Sequence, residues 1–291
     1  ICKYIADGKM KDILEQYKDF LMIEKGLCPV TVKGYCYIIG DYFSKYQLDK
    51  ESMKLYYRAR MENGAERNTL RNVSAALNHL AAMNKIDLHI KPPKKPKKMP
   101  FILTEEEIIN LLDLMDELTY IYPDNLYYSR DRAIIYLLAT VGLRCSETCF
   151  LKVSDLDLRR RILNVYDSKN QKYDISIMCP GCADAIQDYM AVFKAKRYEL
   201  TEYLFPSRKS ERIRRNQIIA IVKKYSAQAG IEKEVYPHLL RHSLGTLMRK
   251  KGADAIDIKE QLRHRTLLST MIYMQTTWED RQKRYDKIIT R

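Results

Sequence analysis

His238-Leu239-Leu240-Arg241-His242 lies in the last third of the chain and is followed by His264 and then by Tyr273. Far upstream, Arg144 stands in the stretch Gly142-Leu143-Arg144-Cys145-Ser146-Glu147. Together these segments supply two guanidinium groups, imidazoles and a phenol, the groups needed to attack a phosphodiester with a protein nucleophile and no metal. The pattern therefore indicates cleavage of a DNA strand.

Arg144 and Arg241 are the predicted phosphate clamps, because a planar guanidinium can hold two phosphate oxygens at once. Arg241 stands three residues after His238, so one face of a helix presents both side chains. Glu147 stands three residues after Arg144 and can orient it. The sequence thus predicts a pair of arginines, each with a polar neighbour on its own helix.

Tyr273 is the predicted nucleophile. An unperturbed tyrosine has a pKa of about 10, so it needs a neighbour that accepts its proton or a positive field that stabilises phenolate. Its spacing after His264 selects Tyr273 among the 22 tyrosines of the chain. Tyr285 is the second candidate, although it lies in a charged tail that suits exposure better than catalysis.

A lysine is predicted to protonate the departing 5′ hydroxyl group. Residues 161–166 and 172–177 alternate between apolar and polar like strands, and Ser168-Lys169-Asn170-Gln171 joins them as a hairpin turn. A lysine on such a hairpin can act as a general acid once DNA orders it. Lys169 is the first candidate and Lys172 the second.

The composition agrees with a protein that binds DNA. The chain of 291 residues is 46% hydrophobic, enough for two ordinary cores, and its formal charge is +14. Such a charge favours a phosphate backbone as partner. Apolar runs such as 133–138 are far shorter than the roughly 20 residues of a membrane span, and no secretory signal is evident. We expect a cytoplasmic protein without a membrane partner.

The seven cysteines do not indicate a disulfide framework in a chain of this size. Cys179 and Cys182 form a CxxC motif, and Cys145 with Cys149 could complete a zinc site of four thiolates. However, Cys145 and Cys149 stand four residues apart on a predicted apolar helix, where cysteine behaves as a small hydrophobic residue. We therefore predict no metal and no other cofactor.

A run rich in lysine and proline, residues 91–100, divides the chain. Its prolines remove backbone donors and its lysines keep it solvated, so it is predicted to be a linker. Residues 1–90 have helical periodicity, which predicts a helical DNA-binding domain with its aromatic residues in the core. Residues 101–291 are predicted to form a mixed α/β catalytic domain with a tail helix, opened by a helix capped at Thr104. The candidates for DNA contact in the first domain are Lys33, Lys45, Arg67 and Arg71.

From about Thr104 to Tyr273 the chain resembles the catalytic domain of the tyrosine recombinases, the phage integrase and Xer family. The helical part before the linker resembles the core-binding domain of the same family. The likeness rests on six separated positions that agree in type, order and rough spacing. The segments that carry it are Gly142-Leu143-Arg144 with Ser146-Glu147, Lys169, His238-Leu239-Leu240-Arg241-His242-Ser243, Gly252-Ala253-Asp254, Leu262-Arg263-His264 and Ile272-Tyr273.

The resemblance implies a fold that is mainly α with a small antiparallel β-sheet, arranged as a two-domain clamp around duplex DNA. It implies a site-specific recombinase that cleaves and rejoins DNA through a 3′-phosphotyrosyl intermediate. The covalent bond conserves energy, so neither metal nor ATP is needed. The implied catalytic roles are nucleophile for Tyr273, phosphate clamps for Arg144 and Arg241, general acid for Lys169, and proton transfer and phosphate binding for His238 and His264.

The resemblance also implies an assembly. The tail, residues 276–291, would be a terminal helix that docks on a neighbouring protomer in a homotetramer on two DNA sites. Its apolar residues Trp278, Tyr285, Ile288 and Ile289 could equally pack on their own domain.

The chain departs from the family pattern before the second histidine, where glycine is usual and Arg263 stands here, followed by Arg265 after the histidine. The added charge could touch phosphate or alter the turn.

Several alternatives remain open at the level of sequence. Type IB topoisomerases and telomere resolvases use similar residues but usually carry additional domains. A non-catalytic, sequence-specific DNA-binding accessory protein is the main alternative. A metal-dependent nuclease is disfavoured, because no compact carboxylate cluster stands beside the histidines. The DNA target sequence is not encoded in these motifs.

Overall fold

The structure is a computed structural model of the chain. It describes residues 7–94, 101–167, 172–196, 202–207 and 211–274, together with residues 282, 285 and 286. The chain divides into two compact units, Ile1–Met99 and Pro100–Arg291. The division falls within the run 91–100, of which residues 91–94 are described.

The described part of the first unit is helical. Proline at the first position of the second helix and Asp49 before the third helix fix two of the helix starts, since the Asp49 carboxylate accepts a hydrogen bond from the backbone N–H of Ser52 at 2.8 Å. The helices are α1 (Asp7–Asp19), which continues into a π-helical turn (Phe20–Glu24), α2 (Pro29–Phe43), α3 (Lys50–Glu62) and α4 (Arg67–Met83).

Aromatic side chains fill the core of the first unit. Tyr17 and Tyr42 are completely buried, and the Tyr17 hydroxyl donates a hydrogen bond to the carbonyl of Ala76 at 2.8 Å. These tyrosines are core residues, as their spacing predicts. Of the basic residues proposed for DNA contact, Lys33, Lys45 and Arg67 are exposed and Arg71 is half-buried. The core residues of this unit include Tyr17, Phe20, Leu21, Ile39, Tyr42, Met53, Tyr56, Val73, Leu77 and Leu80.

The second unit carries the motifs. Its first helix begins with a capping box, in which Thr104 and Glu107 exchange side-chain and backbone hydrogen bonds as predicted. Its elements are α5 (Glu105–Ile121), α6 (Leu126–Tyr136) with a π-helical turn (Leu137–Val141), α7 (Cys145–Phe150), a 3₁₀ turn (Val153–Asp155), β1 (Leu156–Asp157), β2 (Ile162–Asp167), β3 (Lys172–Ile177), α8 (Pro180–Ala195), α9 (Arg215–Gln228), α10 (Pro237–Lys250), α11 (Ala255–Leu262) and α12 (Leu267–Thr270).

The end of α6 and its π-helical turn lie in the centre of the second unit. Residues 133–138 are almost wholly buried, and α10 packs against the turn. The turn ends at Gly142, whose φ of +72° belongs to the left-handed region. A Cβ atom at this position would lie 2.6 Å from Cδ2 of Leu262. Glycine therefore satisfies both the backbone and the packing where the chain enters α7.

The sheet is antiparallel, in the order β1-β2-β3. Val165 of β2 faces Asp174 of β3, and Leu163 faces Ser176. The two longer strands occupy the segments predicted as a hairpin, and the turn 168–171 lies outside the described residues. β3 contacts α11, because the side-chain amide of Gln261 bonds the backbone N–H and C=O of Ile177. The sheet edge is thereby tied to the helix that precedes His264.

The prediction of a mainly helical chain with a small antiparallel sheet is confirmed. Within the described ranges, none of the helices has the length and apolar character to cross a membrane.

Candidate active site

Arg144 stands at the N-terminus of α7, two residues after Gly142. Its guanidinium Nη1 donates to Oε1 of Glu147 at 2.5 Å, and its backbone N–H donates to Oε2 of the same carboxylate at 2.7 Å. The Arg144 side chain is 40% exposed, whereas that of Glu147 is 12% exposed. The predicted orienting role of Glu147 therefore corresponds to a real contact, and Arg144 presents a guanidinium toward solvent.

Arg241 lies on α10 and is buried, with 1% of its surface exposed. Its Nη1 donates to the carbonyl of Gly142 at 2.5 Å, and its Nη2 donates to the carbonyl of Leu262. Burial, followed by the positive charges of Arg144 and Arg263, lowers the pKa of Arg241 to about 9. The peptide oxygens at the ends of two different elements thus fix the position of this guanidinium.

Two histidines occupy successive turns of α10. The ring centroids of His238 and His242 are 4.4 Å apart. Burial, then the neighbouring His238 and Arg241, lowers the pKa of His242 to about 4, and burial with the charges of Arg241 and Arg144 lowers the pKa of His238. Both imidazoles are consequently neutral near pH 7.

Tyr273 packs on α10 with 7% of its surface exposed. Its hydroxyl lies 2.8 Å from Nδ1 of His242. Burial raises the pKa of the phenol, and the charge of Arg241 acts in the opposite direction. The ring passes over Gly245, where a Cβ atom would lie 2.8 Å from Cζ of Tyr273. The absence of a side chain at 245 therefore allows the phenol to approach α10.

His264 follows α11 and stacks on the predicted nucleophile. Its ring is nearly parallel to that of Tyr273, at an interplanar angle of 11° and a centroid separation of 6.0 Å. Its Nδ1 lies 2.9 Å from Oγ1 of Thr270. Burial and the nearby charges, Arg241 foremost, lower the pKa of His264 to about 4. His264 is thus a neutral imidazole with a fixed orientation.

Arg263 takes the left-handed conformation, with a φ of +53°, at the position where the resemblance leads one to expect glycine. Its side chain is 2% exposed and donates to Oε2 of Glu147 at 2.9 Å. The Arg263 guanidinium faces inward in this conformation, and contact of the added positive charge with phosphate stays a prediction. The turn itself keeps the backbone conformation that glycine would adopt.

The structure brings together five of the six predicted positions. His264 stacks on Tyr273, and His238 contacts His242, which in turn bonds Tyr273. The charges of Arg144 and Arg241 both act on His238 and His264. Lys169 lies outside the described residues, and Lys172 is described only by its backbone in β3. Tyr285 is 65% exposed, in contrast to the buried Tyr273.

His242 is a candidate functional residue to which the sequence motifs assign no catalytic role. It follows Arg241 and lies four residues after His238, so the helical period places it on the same face as His238. That spacing is the signal from which it could have been found. The contact with Tyr273 itself depends on the turn after α12, which periodicity does not reveal.

A cleft of about 880 Å³ opens beside Arg144. Aromatic side chains and three basic residues line it, together with the carboxylates of Glu147 and Asp155. Aromatic and basic side chains suit the base and phosphate surfaces of a nucleic acid. Tyr166 and Tyr173, one from each hairpin strand, lie 5.2 Å apart between ring centroids. The principal lining residues are Arg144, Phe150, Lys152, Tyr166, Tyr173, Tyr203 and Arg265.

The four cysteines considered for zinc lie in two places. Cys145 and Cys149 are on α7, and Cys179 and Cys182 are at the start of α8. All four are free thiols. Within the part of the chain that the structure describes, no group of three or more potential metal ligands is found.

Comparison with known proteins gives the family. Residues 102–279 match the model described as the phage integrase family. Tyrosine recombinase XerA of Thermococcus kodakarensis is 31% identical over 283 residues, which cover 95% of each chain. The crystal structure of a XerA recombinase matches with a TM-score of 0.56 and 25% identity, covering 97% of this chain and 99% of the other. XerH in a pre-cleavage complex with its difH substrate matches with a TM-score of 0.73 at 17% identity, covering 97% and 85%, and shows a shared fold.

The fold and the matches together define a tyrosine site-specific recombinase. The chain belongs to the phage integrase family. The family predicted from the motifs is therefore confirmed.

Proposed function

We propose that this protein cleaves and rejoins duplex DNA at a specific site through a 3′-phosphotyrosyl intermediate formed on Tyr273. The observation that carries the proposal is the 2.8 Å hydrogen bond between the Tyr273 hydroxyl and Nδ1 of His242, within the field of Arg241. A phenol with a raised pKa needs a proton acceptor, and a neutral imidazole at hydrogen-bond distance provides one.

In the proposed cleavage step, the Tyr273 oxygen forms a bond to phosphorus while the bond from phosphorus to the 5′ oxygen breaks. The phenolic proton passes to Nδ1 of His242. The 5′ oxygen leaves with a proton from Lys169 or Lys172, and the 3′ phosphate remains on the tyrosine. Rejoining is the reverse reaction with the 5′ hydroxyl of a strand as nucleophile, so the step balances without ATP.

The charge on the phosphate is balanced by the two arginines. Arg144, with its exposed guanidinium, is proposed to bind a non-bridging oxygen directly, and Arg241 provides a fixed positive charge behind it. His264 is proposed to donate from Nε2, because a neutral ring that accepts from Thr270 at Nδ1 carries its proton on Nε2. These groups supply the stabilisation of the transition state, so we propose a reaction without a metal ion.

Duplex DNA is the proposed partner, in the cytoplasm. The net charge of +14 and the aromatic side chains of the cleft beside Arg144 support it. We further propose a homotetramer on two DNA sites, joined through residues 276–291, most of which lie outside the described residues. Removal of those residues is expected to abolish synapsis while leaving binding to a single site intact, which an electrophoretic shift assay distinguishes.

The proposal is tested with a nicked suicide substrate that carries the protein's own site, taken from DNA next to its gene. Wild type and Tyr273→Phe are compared on a denaturing gel, with and without chelator. We expect a covalent adduct in the wild type, its loss in the variant, and its persistence in chelator. Tyr285→Phe is the matched control and should leave the adduct intact.

Two results would contradict the proposal. Specific binding of the site without any adduct would instead indicate an accessory DNA-binding protein. An adduct that survives Tyr273→Phe but not Tyr285→Phe would move the nucleophile to the tail.

A further inference from the structure

Arg263 is a third guanidinium at the candidate site that the proposed chemistry does not use. Its side chain is 2% exposed, so it contacts neither solvent nor a bound strand in this conformation. A buried arginine is costly unless its donors are satisfied and its charge is paired. The contacts of Arg263 therefore indicate what it does.

The guanidinium of Arg263 joins four segments of the second unit. Nη2 donates to Oε2 of Glu147 at 2.9 Å and to the carbonyl of Gly142 at 3.2 Å. Nη1 donates to the carbonyl of Gln261 at 2.8 Å and to Oγ of Ser176. Its Nε has no partner among the described residues. Most of its donors are committed, and its nearest anion is Glu147.

Glu147 is shared between two cations. Oε1 accepts from the Arg144 guanidinium, and Oε2 accepts from the Arg144 backbone N–H and from Arg263. Burial alone would raise the pKa of Glu147, but the charge of Arg263, followed by that of Arg144, holds it below the ordinary value. One carboxylate thus faces two guanidinium groups, and only that of Arg144 is accessible from outside.

We infer that Arg263 is a positioning residue that takes up the charge of Glu147 and so leaves Arg144 free to bind a phosphate oxygen. The inference rests on the proposed function of Arg144. When an anion draws Arg144 away from Oε1, Glu147 keeps the ion pair with Arg263 and is not left buried and unpaired. The orienting contact and the phosphate contact of Arg144 are thereby compatible.

Without Arg263, the entire charge of Glu147 would fall on Arg144. The shared carboxylate would then compete with phosphate for the same guanidinium, because an internal ion pair and a DNA anion oppose each other directly. Arg263→Gly is a suitable probe, since the backbone at φ +53° favours glycine and the substitution adds no strain.

The first experiment uses inorganic phosphate and no DNA. Phenylglyoxal modification of Arg144 is followed by peptide mass spectrometry, and the phosphate concentration that gives half protection is measured. We expect Arg263→Gly to raise that concentration by about tenfold, comparable to the loss of a charge-assisted contact. Adding Glu147→Gln to Arg263→Gly should restore most of the affinity, because the competing charge is gone.

Arg161→Gly is the matched control. Arg161 is exposed, has a φ of +56°, and lies in the same unit, so the substitution removes one positive charge from the same kind of backbone position. It should not change the protection of Arg144. An equal loss in Arg161→Gly and Arg263→Gly would overturn the inference, as would phosphate protection that is absent in the wild type or unchanged in Arg263→Gly.

Single-turnover formation of the adduct provides the second readout. Arg263→Gly should slow the step while the affinity for duplex DNA is retained, and Arg263→Gly/Glu147→Gln should be faster than Arg263→Gly. A purely structural role predicts the opposite order, with the double variant slower. Failure of the proposed function would be recognised separately, as a wild type that forms no adduct while its phosphate protection still depends on Arg263.

Discussion

His242 combines a hydrogen bond to Tyr273 with a strongly lowered pKa. The low pKa keeps Nδ1 available as an acceptor at neutral pH, which is the role proposed for His242. Of the three neutral imidazoles, His242 is bonded to the phenol, whereas His264 is bonded to Thr270. At the scale of single residues, we therefore propose His242 as the group that accepts the phenolic proton, whereas the contact with Thr270 fixes the ring of His264.

His242→Asn is expected to slow adduct formation by about 10²- to 10⁴-fold, the usual contribution of a general base, without changing DNA affinity. The asparagine can accept a hydrogen bond from Tyr273 but cannot take up its proton. Quench-flow measurement on the suicide substrate gives the rate, with His89→Asn, an exposed histidine of the first unit, as control. A wild-type rate in His242→Asn would assign the proton transfer to His238 or His264.

The π-helical turn Leu137–Val141 sets the geometry at the scale of elements. The turn continues α6 and ends at Gly142, where the chain changes direction before α7. The carbonyl of Gly142 accepts hydrogen bonds from Arg241 of α10 and from Arg263, the residue after α11. Gly142 follows this turn directly, and Leu262 packs so closely there that a Cβ atom at position 142 would clash with it. The packing of α10 and α11 against the turn thus depends on a residue without a side chain.

Gly142→Ala is expected to destabilise the second unit by about 2 to 4 kcal/mol, through a positive φ and a clash together. Gly230→Ala separates the two causes, because Gly230 has a φ of +73° and open space around its Cα. Gly230→Ala should lower the free energy of unfolding by only about 1 kcal/mol, because it introduces the unfavourable positive φ without a clash. Urea unfolding of both variants measures the difference, and equal losses would show that the contact with Leu262 relaxes without cost.

At the scale of the whole molecule, burial of neutral histidines links stability to pH. The pKa values of His242 and His264 are lowered to about 4, below the ordinary value of about 6.5. Between these values the two side chains bind more protons in the unfolded chain than in the folded chain. Their contribution to the free energy of unfolding therefore falls as the pH decreases through this window and is constant above it.

The urea midpoint should therefore decrease between about pH 6.5 and pH 4, as these two groups charge on unfolding. The double variant His242→Asn/His264→Gln should show a smaller decrease over the same interval. The His89→Asn control should retain the wild-type profile. An identical profile in the double variant would mean that other groups carry the pH dependence.

Much of the fold and site is predictable from the sequence, and particular residues show why. The capping box at Thr104 and the strands on either side of Lys169 depend on local spacing, which the sequence displays directly. The motifs also single out Arg144, Arg241 and Tyr273, but the contacts that position Arg241 and Tyr273 join segments that are far apart in the sequence. The inward direction of the Arg263 side chain is not predictable from local spacing, because its acceptors on Gly142 and Glu147 are 121 and 116 residues away. A prediction based only on residues adjacent in the sequence would treat Arg263 as a surface charge.

The carbonyl of Gly142 accepts from both Arg241 and Arg263. A peptide oxygen is present whatever amino acid is encoded, so no side-chain substitution can delete this anchor. Most single substitutions around the site are therefore expected to leave the relative position of these two guanidinium groups unchanged. The exceptions are substitutions of Gly142 itself and insertions or deletions between Leu137 and Gly142, because a shift of that one oxygen would move both arginines together. In a set of random variants selected for activity, length changes in this short segment should be absent, whereas many substitutions beside it should be retained.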